Sequence, residues 1–165
     1  MIFVTVGTHE QPFNRLIKEI DRLKKENYIE DQVIVQTGFG TYEPGSCQWK
    51  QFVSCQEMDQ YMREARLVIT HGGPASFTAP LRFGKIPIVV PRKKDFGEHV
   101  NDHQLEFCRM VKARMNNIIL VEDVSDLRKM ITEYEEVVKL MVLKTSNNNT
   151  EFVKGIEVIV KTMGL

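Results

Sequence analysis

All four histidines of the chain, His9, His71, His99 and His103, fall in or just after three short polar stretches. The first is Gly7-Thr8-His9-Glu10-Gln11-Pro12 and the second is His71-Gly72-Gly73-Pro74-Ala75-Ser76. The third, Pro91 to His99, carries Arg92, Lys93, Lys94, Asp95 and Glu98 and runs on into Asn101-Asp102-His103-Gln104. Glycines let a backbone close on a ligand. A serine hydroxyl and an imidazole N–H donate to phosphate oxygens, and the first turn of a helix attracts an anion. His71 to Ser76 therefore reads as a cradle for a diphosphate, with Gly72 and Gly73 giving backbone access. A second reading stays open: the glycines only turn the chain, Ser76 caps or packs, and His71 bonds a backbone carbonyl. Arg92, with Lys93 and Lys94, has the charge to neutralise a diphosphate or a lipid phosphate, although a run of lysines is also the pattern of a solvated face. In the first stretch, Gly7, Thr8 and His9 either touch a ligand, or Thr8 caps the helix that follows and His9 lies on the surface. His103 and Gln104 read as surface residues of a predicted helix. Trp49, the sole tryptophan, either stacks on a sugar or base or packs half-buried in the core.

Such residues need a scaffold, and the pattern between them supplies one. Short β-branched runs at Ile2–Val6, Val33–Gln36, Leu67–Thr70, Ile86–Val90 and Asn117–Val121 predict strands, with a weaker one at Phe52-Val53. Between them, Phe13 to Lys25 places Phe13, Leu16, Ile17, Ile20 and Leu23 at helical spacing. Further helices are predicted over Glu57–Ala65, Ala75–Phe83, Asn101–Lys112 and Asp126–Lys139. Nearly every strand is followed by a helix, which predicts an α/β fold: a doubly wound, Rossmann-like parallel sheet with helices on both faces. In such sheets ligands bind outside the carboxyl ends of the strands, where all three polar stretches fall. Residues 1–143 read as one domain and 144–150 as a linker around Asn147-Asn148-Asn149. Residues 151–165 read as a C-terminal helix of the same domain, with Phe152, Val153, Ile156, Ile159, Val160 and Met163 on one face, able to dock on the sheet or on a partner.

Composition narrows the function. With 22 basic and 22 acidic residues the chain has a formal net charge of zero, which excludes the basic footprint of a nucleic-acid-binding domain. Cys47, Cys55 and Cys108 have neither disulfide-framework nor zinc-ligand spacing, so no metal site is expected and a reducing cytoplasm fits. No apolar run approaches the ~20 residues that cross a bilayer, and MIFVTVGTHEQPF is not read as a secretion signal. No G-x-G-x-x-G follows the first strand, which argues against a dinucleotide enzyme.

The stretch His71-Gly-Gly-Pro-Ala-Ser76, followed by Ile86-Pro-Ile-Val-Val-Pro91 and Glu98-His99, resembles the donor-binding half of GT-B nucleotide-sugar glycosyltransferases. The start MIFVTVGTHEQPFNRLIKEID, with HGGPAS, VPR and EHVNDHQ, is similar to small bacterial exopolysaccharide and capsule transferase subunits. These belong with the C-terminal domain of MurG (glycosyltransferase family 28) and with the cytosolic UDP-N-acetylglucosamine transferase subunit of dolichol-linked glycan synthesis. The resemblance implies a UDP-sugar donor and no cofactor beyond it, with His71, Gly72, Gly73 and Ser76 on the diphosphate and Glu98 and His99 on the transferred sugar. It also implies an inverting transfer of a hexose, galactose by analogy, from the UDP-sugar onto a lipid-diphosphate-linked saccharide. Relatives carry a glutamate three residues after the serine for the ribose hydroxyls, and this chain has Ala79. A chain of this length holds one of the two GT-B domains, so the resemblance implies a membrane-anchored acceptor-binding partner that keeps the protein at the cytoplasmic face of the membrane. The general base is then His9 or a partner residue. A non-catalytic nucleotide-sensing subunit is the competing expectation.

Overall fold

The computed structural model describes residues 1–144, with side chains through Val142. The strands are β1 (Ile2–Thr5), β2 (Val33–Gln36), β3 (Gln48–Lys50), β4 (Leu67–His71), β5 (Ile88–Val90) and β6 (Ile119–Leu120). The helices are α1 (Asn14–Lys25), α2 (Cys55–Glu64), α3 (Pro74–Leu81), α4 (His103–Met115), α5 (Leu127–Thr132) and α6 (Tyr134–Lys144). The six strands form one sheet in the order β3-β2-β1-β4-β5-β6, and every pairing is parallel. This is the doubly wound α/β sheet that the alternation of strands and helices predicts.

Side chains that alternate along β1 divide the core in two. Ile2, Val4 and Val6 pack with Leu16, Ile17, Ile20 and Leu23 of α1 and with Leu127, Ile131 and Tyr134 of α5 and α6. Phe3 packs on the opposite face with Met62 and Ala65, under α2, while Phe77, Leu81, Phe107 and Val111 join α3 and α4 over Val89. Burial on both faces explains why the central strands read as continuous apolar runs and not as alternating ones. The strand order reverses between β1 and β4. The chain leaves β1 for α1 on one face and β4 for α3 on the other, so a crevice opens between their carboxyl ends.

Three expectations are corrected. The third strand lies at Gln48–Lys50, not at Phe52-Val53; its residues are all exposed, so hydrophobicity could not mark it, and it is held by backbone pairing to β2 at the sheet edge. The helix expected over Asp126–Lys139 is a short 3-10 turn and two helices divided at Glu133, after which Tyr134 turns inward and donates its hydroxyl to the Ile86 carbonyl at 2.8 Å. Trp49 stands on the edge strand, exposed, and not in the core. The linker after Lys144 and the last helix lie outside the described residues.

Candidate functional site

The turn after β4 is built around His71. Its Nδ1 accepts from the Gly73 N–H at 3.1 Å, and its Nε2 lies 2.7 Å from Ser76 Oγ. Because a ring nitrogen that accepts carries no hydrogen, the neutral ring bears its proton on Nε2 and donates it to Ser76. The Ser76 O–H is thereby left to donate elsewhere, at the mouth of α3. That helix opens with Gly73 at its N-cap and Pro74 at its first position, the site where proline costs no hydrogen bond.

Both reasons for glycine here are steric. A Cβ on Gly73 would overlap the His71 ring, and so would a Cβ on Gly7. Gly7 also has φ +77, a left-handed conformation open to glycine at little cost. The imidazole thus meets both the first loop and its own turn closely enough that neither glycine can carry a side chain. A Cβ on Gly72 would press on Gln104 and Cys108 of α4. Burial, and then the nearby charge of Arg92, push the His71 pKa down to about 4; the side chain of Gln104 bonds the ring and opposes this.

His9 and His99, far apart in sequence, meet with ring centroids 4.9 Å apart and planes tilted by 41°. Nδ1 of His9 accepts from the Gln11 N–H, and Nδ1 of His99 from the Asn101 N–H. The His9 pKa is lowered, first by burial and then by Arg92 and His99, with Glu10 opposing. Thr8 is exposed and does not cap α1, whose N-cap residue is Phe13 with no side-chain bond.

Arg92 and Glu98 turn inward. Arg92 is 1% exposed. Its guanidinium donates to the carbonyls of Gln11 at 2.6 Å, Glu98 at 3.0 Å and Val6 at 2.8 Å, and lies 5.0 Å from the centre of the Phe13 ring. Burial lowers its pKa to about 10, against the pull of Glu98. The Glu98 carboxylate, 2% exposed, accepts two bonds of 2.9 Å from Arg15 and one of 3.0 Å from the Lys93 N–H. Arg15 is itself covered by the ring of Phe96 at 4.7 Å. So Gly7, Thr8, His9, His71, Gly72, Gly73, Ser76 and His99 are gathered at one sheet end, whereas the charged groups of Arg92 and Glu98 lie beneath it and bind protein.

Gln104 was missed as a site residue. Its Oε1 accepts from the Arg92 N–H at 3.2 Å. The signal was helical phase: Gln104, Cys108 and Val111 are spaced i, i+4, i+7, which puts Gln104 on the inner face of α4, while His103 points outward as expected. Arg15, which clamps Glu98, carried no comparable signal within α1. Beyond β2 and β3, Phe39 and Phe52 make an exposed edge-to-face pair with centroids 5.4 Å apart. A recess of about 200 Å³ beside them is lined by Thr37, Tyr42, Glu43 and Trp49 among others. Among the described residues no group of three or more His, Cys, Asp or Glu is placed to hold a metal ion, and no helix is long and apolar enough to cross a membrane.

A sheet of this order, with a glycine-bounded turn feeding a helix at its switch point, is the architecture of the C-terminal domain of GT-B glycosyltransferases. Residues 1–159 match the glycosyltransferase family 28 C-terminal domain, and the chain belongs to that family. One of 22 solved chains that match it is the glycosyltransferase SnogD from Streptomyces nogalater. It is 18% identical, with a TM-score of 0.43, and the match covers 86% of this chain and 43% of SnogD. The chain therefore spans less than half the length of that structure. No curated protein matches it.

Proposed function

We propose that this domain binds the donor of a glycosyl transfer, a UDP-sugar, and presents its sugar to an acceptor held by a second domain. The observation that carries this is the interlock of His71, Gly73 and Ser76 at the N-terminus of α3. It aims a hydroxyl donor and the positive end of a helix at the crevice where a diphosphate lies in such sheets. Stabilising a leaving diphosphate by prearranged donors is the main service such a site renders to transfer. The exposed Phe39–Phe52 pair offers an apolar aromatic surface for the base, and His9 and His99 face the space left for the sugar. Glu98 serves as a support for that loop, its carboxylate being engaged by Arg15. The acceptor is a lipid-diphosphate-linked saccharide of capsule or exopolysaccharide synthesis, held by a membrane-anchored partner subunit at the cytoplasmic face, with galactose as the transferred hexose by analogy. Transfer inverts the anomeric centre.

Calorimetric titration with UDP tests the donor site, and a donor screen with the partner co-expressed tests transfer. Absence of UDP binding would sink the reading. A second reading, a nucleotide-sensing subunit without turnover, draws on Ala79, which packs against the buried cluster of Phe3, Met62 and Val68 and supplies no acceptor for ribose hydroxyls. UDP binding without transfer in the presence of any acceptor partner would favour it.

A further inference from the structure

The histidines of the site share one local geometry. In each, Nδ1 accepts the N–H of the residue two positions on: Gln11 for His9 at 3.2 Å, Gly73 for His71 at 3.1 Å and Asn101 for His99 at 3.3 Å. This is the imidazole counterpart of an Asx-turn. A neutral ring so held has its hydrogen on Nε2, on the side away from the backbone. Such a nitrogen donates; it has no lone pair with which to take a proton from an acceptor hydroxyl.

Beneath the rings lies Arg92. Three backbone carbonyls hold its guanidinium, two from the first loop region (Val6, Gln11) and one from the third (Glu98), while its Nε is buried without a partner. The Glu98 carboxylate is bonded by Arg15 and attracts Arg92 only through space, so two guanidiniums have one carboxylate near them and a positive charge is left in excess. In a buried setting that charge is poorly screened.

We infer that Arg92 is a positioning residue: it ties the loop after β1 to the loop after β5 and keeps His9 and His71 neutral with hydrogen on Nε2, so that these loops offer hydrogen-bond donors and no general base. The identity of what the donors face rests on the donor-binding reading; the protonation pattern does not. A proton added to His71 would land on Nδ1, against the Gly73 N–H, and open the turn. Burial is the largest cause that keeps both rings neutral, and the charge of Arg92 comes next. His71 meets Arg92 and His99 from the third loop, His9 from the first and Gln104 from α4, and among these only Gln104 favours its protonated form. His9 meets Arg92 and His99 from the third loop, with Glu10 alone opposing them. The base that His9 would have provided must then come from the acceptor side.

Long-range ¹H–¹⁵N spectra of the full chain at neutral pH read the tautomers directly. Nε2–H at His9 and His71 is expected, and Nδ1–H at either overturns the inference. In the pH titration, Arg92→Gln should raise both histidine midpoints and Arg92→Lys should leave them low; midpoints unmoved in a folded Arg92→Gln protein overturn it. If that variant does not fold, the wild-type tautomers still decide. With the acceptor partner present, His9→Gln should lower kcat/KM for the UDP-sugar by no more than about fivefold, the worth of one hydrogen bond, and keep the wild-type shape of the pH–rate profile. Loss of the acid limb of that profile in His9→Gln would make His9 a base and overturn the inference. UDP failing to bind a chain with Nε2–H tautomers would sink the donor-binding reading and leave this one standing.

Discussion

The loops after β4 and after β5 leave the same end of the sheet, and both are dense in polar groups, yet they use them in opposite ways. After β4 the side chains satisfy one another locally: His71 takes the Gly73 N–H and meets Ser76, so the turn needs little from elsewhere and a hydroxyl stays available. After β5 the charges reach across the molecule. Arg92 bonds Val6 and Gln11, and Glu98 bonds Arg15. The loop after β4 closes on itself, whereas the loop after β5 ties down the loop after β1 and the first turn of α1. A charged residue in a ligand-binding loop is therefore not by itself a ligand contact; burial decides which it is.

The largest test of that contrast is Arg92→Met. It strands three carbonyls that a buried charge satisfies, and unfolding by denaturant should show a loss of about 3 to 5 kcal/mol, the scale for breaking buried charged networks. A loss confined to UDP binding would put Arg92 back among the ligand contacts. Next comes acid. The folded His71 titrates at about 4 and the unfolded residue at about the ordinary histidine value of 6.5. Below about pH 6.5 the unfolded chain therefore binds a proton that the folded one refuses, and stability falls until about pH 4, where the folded ring also protonates. Denaturation midpoints followed across that window should slope down toward acid, and the slope should flatten in His71→Gln. Ser76→Ala should weaken UDP binding by about 1 to 3 kcal/mol, the range for one charge-assisted hydrogen bond, and cost less than that in unfolding free energy, where only the bond from His71 is lost. If stability fell and binding did not, the turn would be scaffold like its neighbour. The smallest effect is expected at exposed Lys94, where alanine should alter neither readout.

The fold was legible because burial on both faces leaves an apolar run wherever a central strand lies, and because Leu16, Ile17, Ile20 and Leu23 mark the inner face of α1 with a helical period. Gln48–Lys50 escaped for the converse reason: an edge strand is specified by backbone pairing, and none of its side chains is buried. In the site, His71, Gly73 and Ser76 were legible because their partners are within five residues of one another in the chain. Arg92 and Glu98 were seen as chemistry but not placed, since their partners Val6, Gln11 and Arg15 lie 81 to 86 residues away and nothing local records that contact. Gln104 was visible only through the phase of α4.

Strand order has a further consequence, for the sequence of events in folding. On one side β1 pairs with β2, and Gly38 packs against the carbonyl of Gly7, contacts that a chain of some forty residues already contains. On its other side β1 must wait for β4, where Ile2 meets Leu67, and for β5 to deliver Arg92. Pairing across such separations is the slow part of assembling a parallel sheet. The first loop is thus shaped in two instalments, and its left-handed glycine closes over an imidazole synthesised long after it. In refolding, helical signal should return before the capacity to bind UDP, because the crevice is the seam along which the two halves of the sheet are joined.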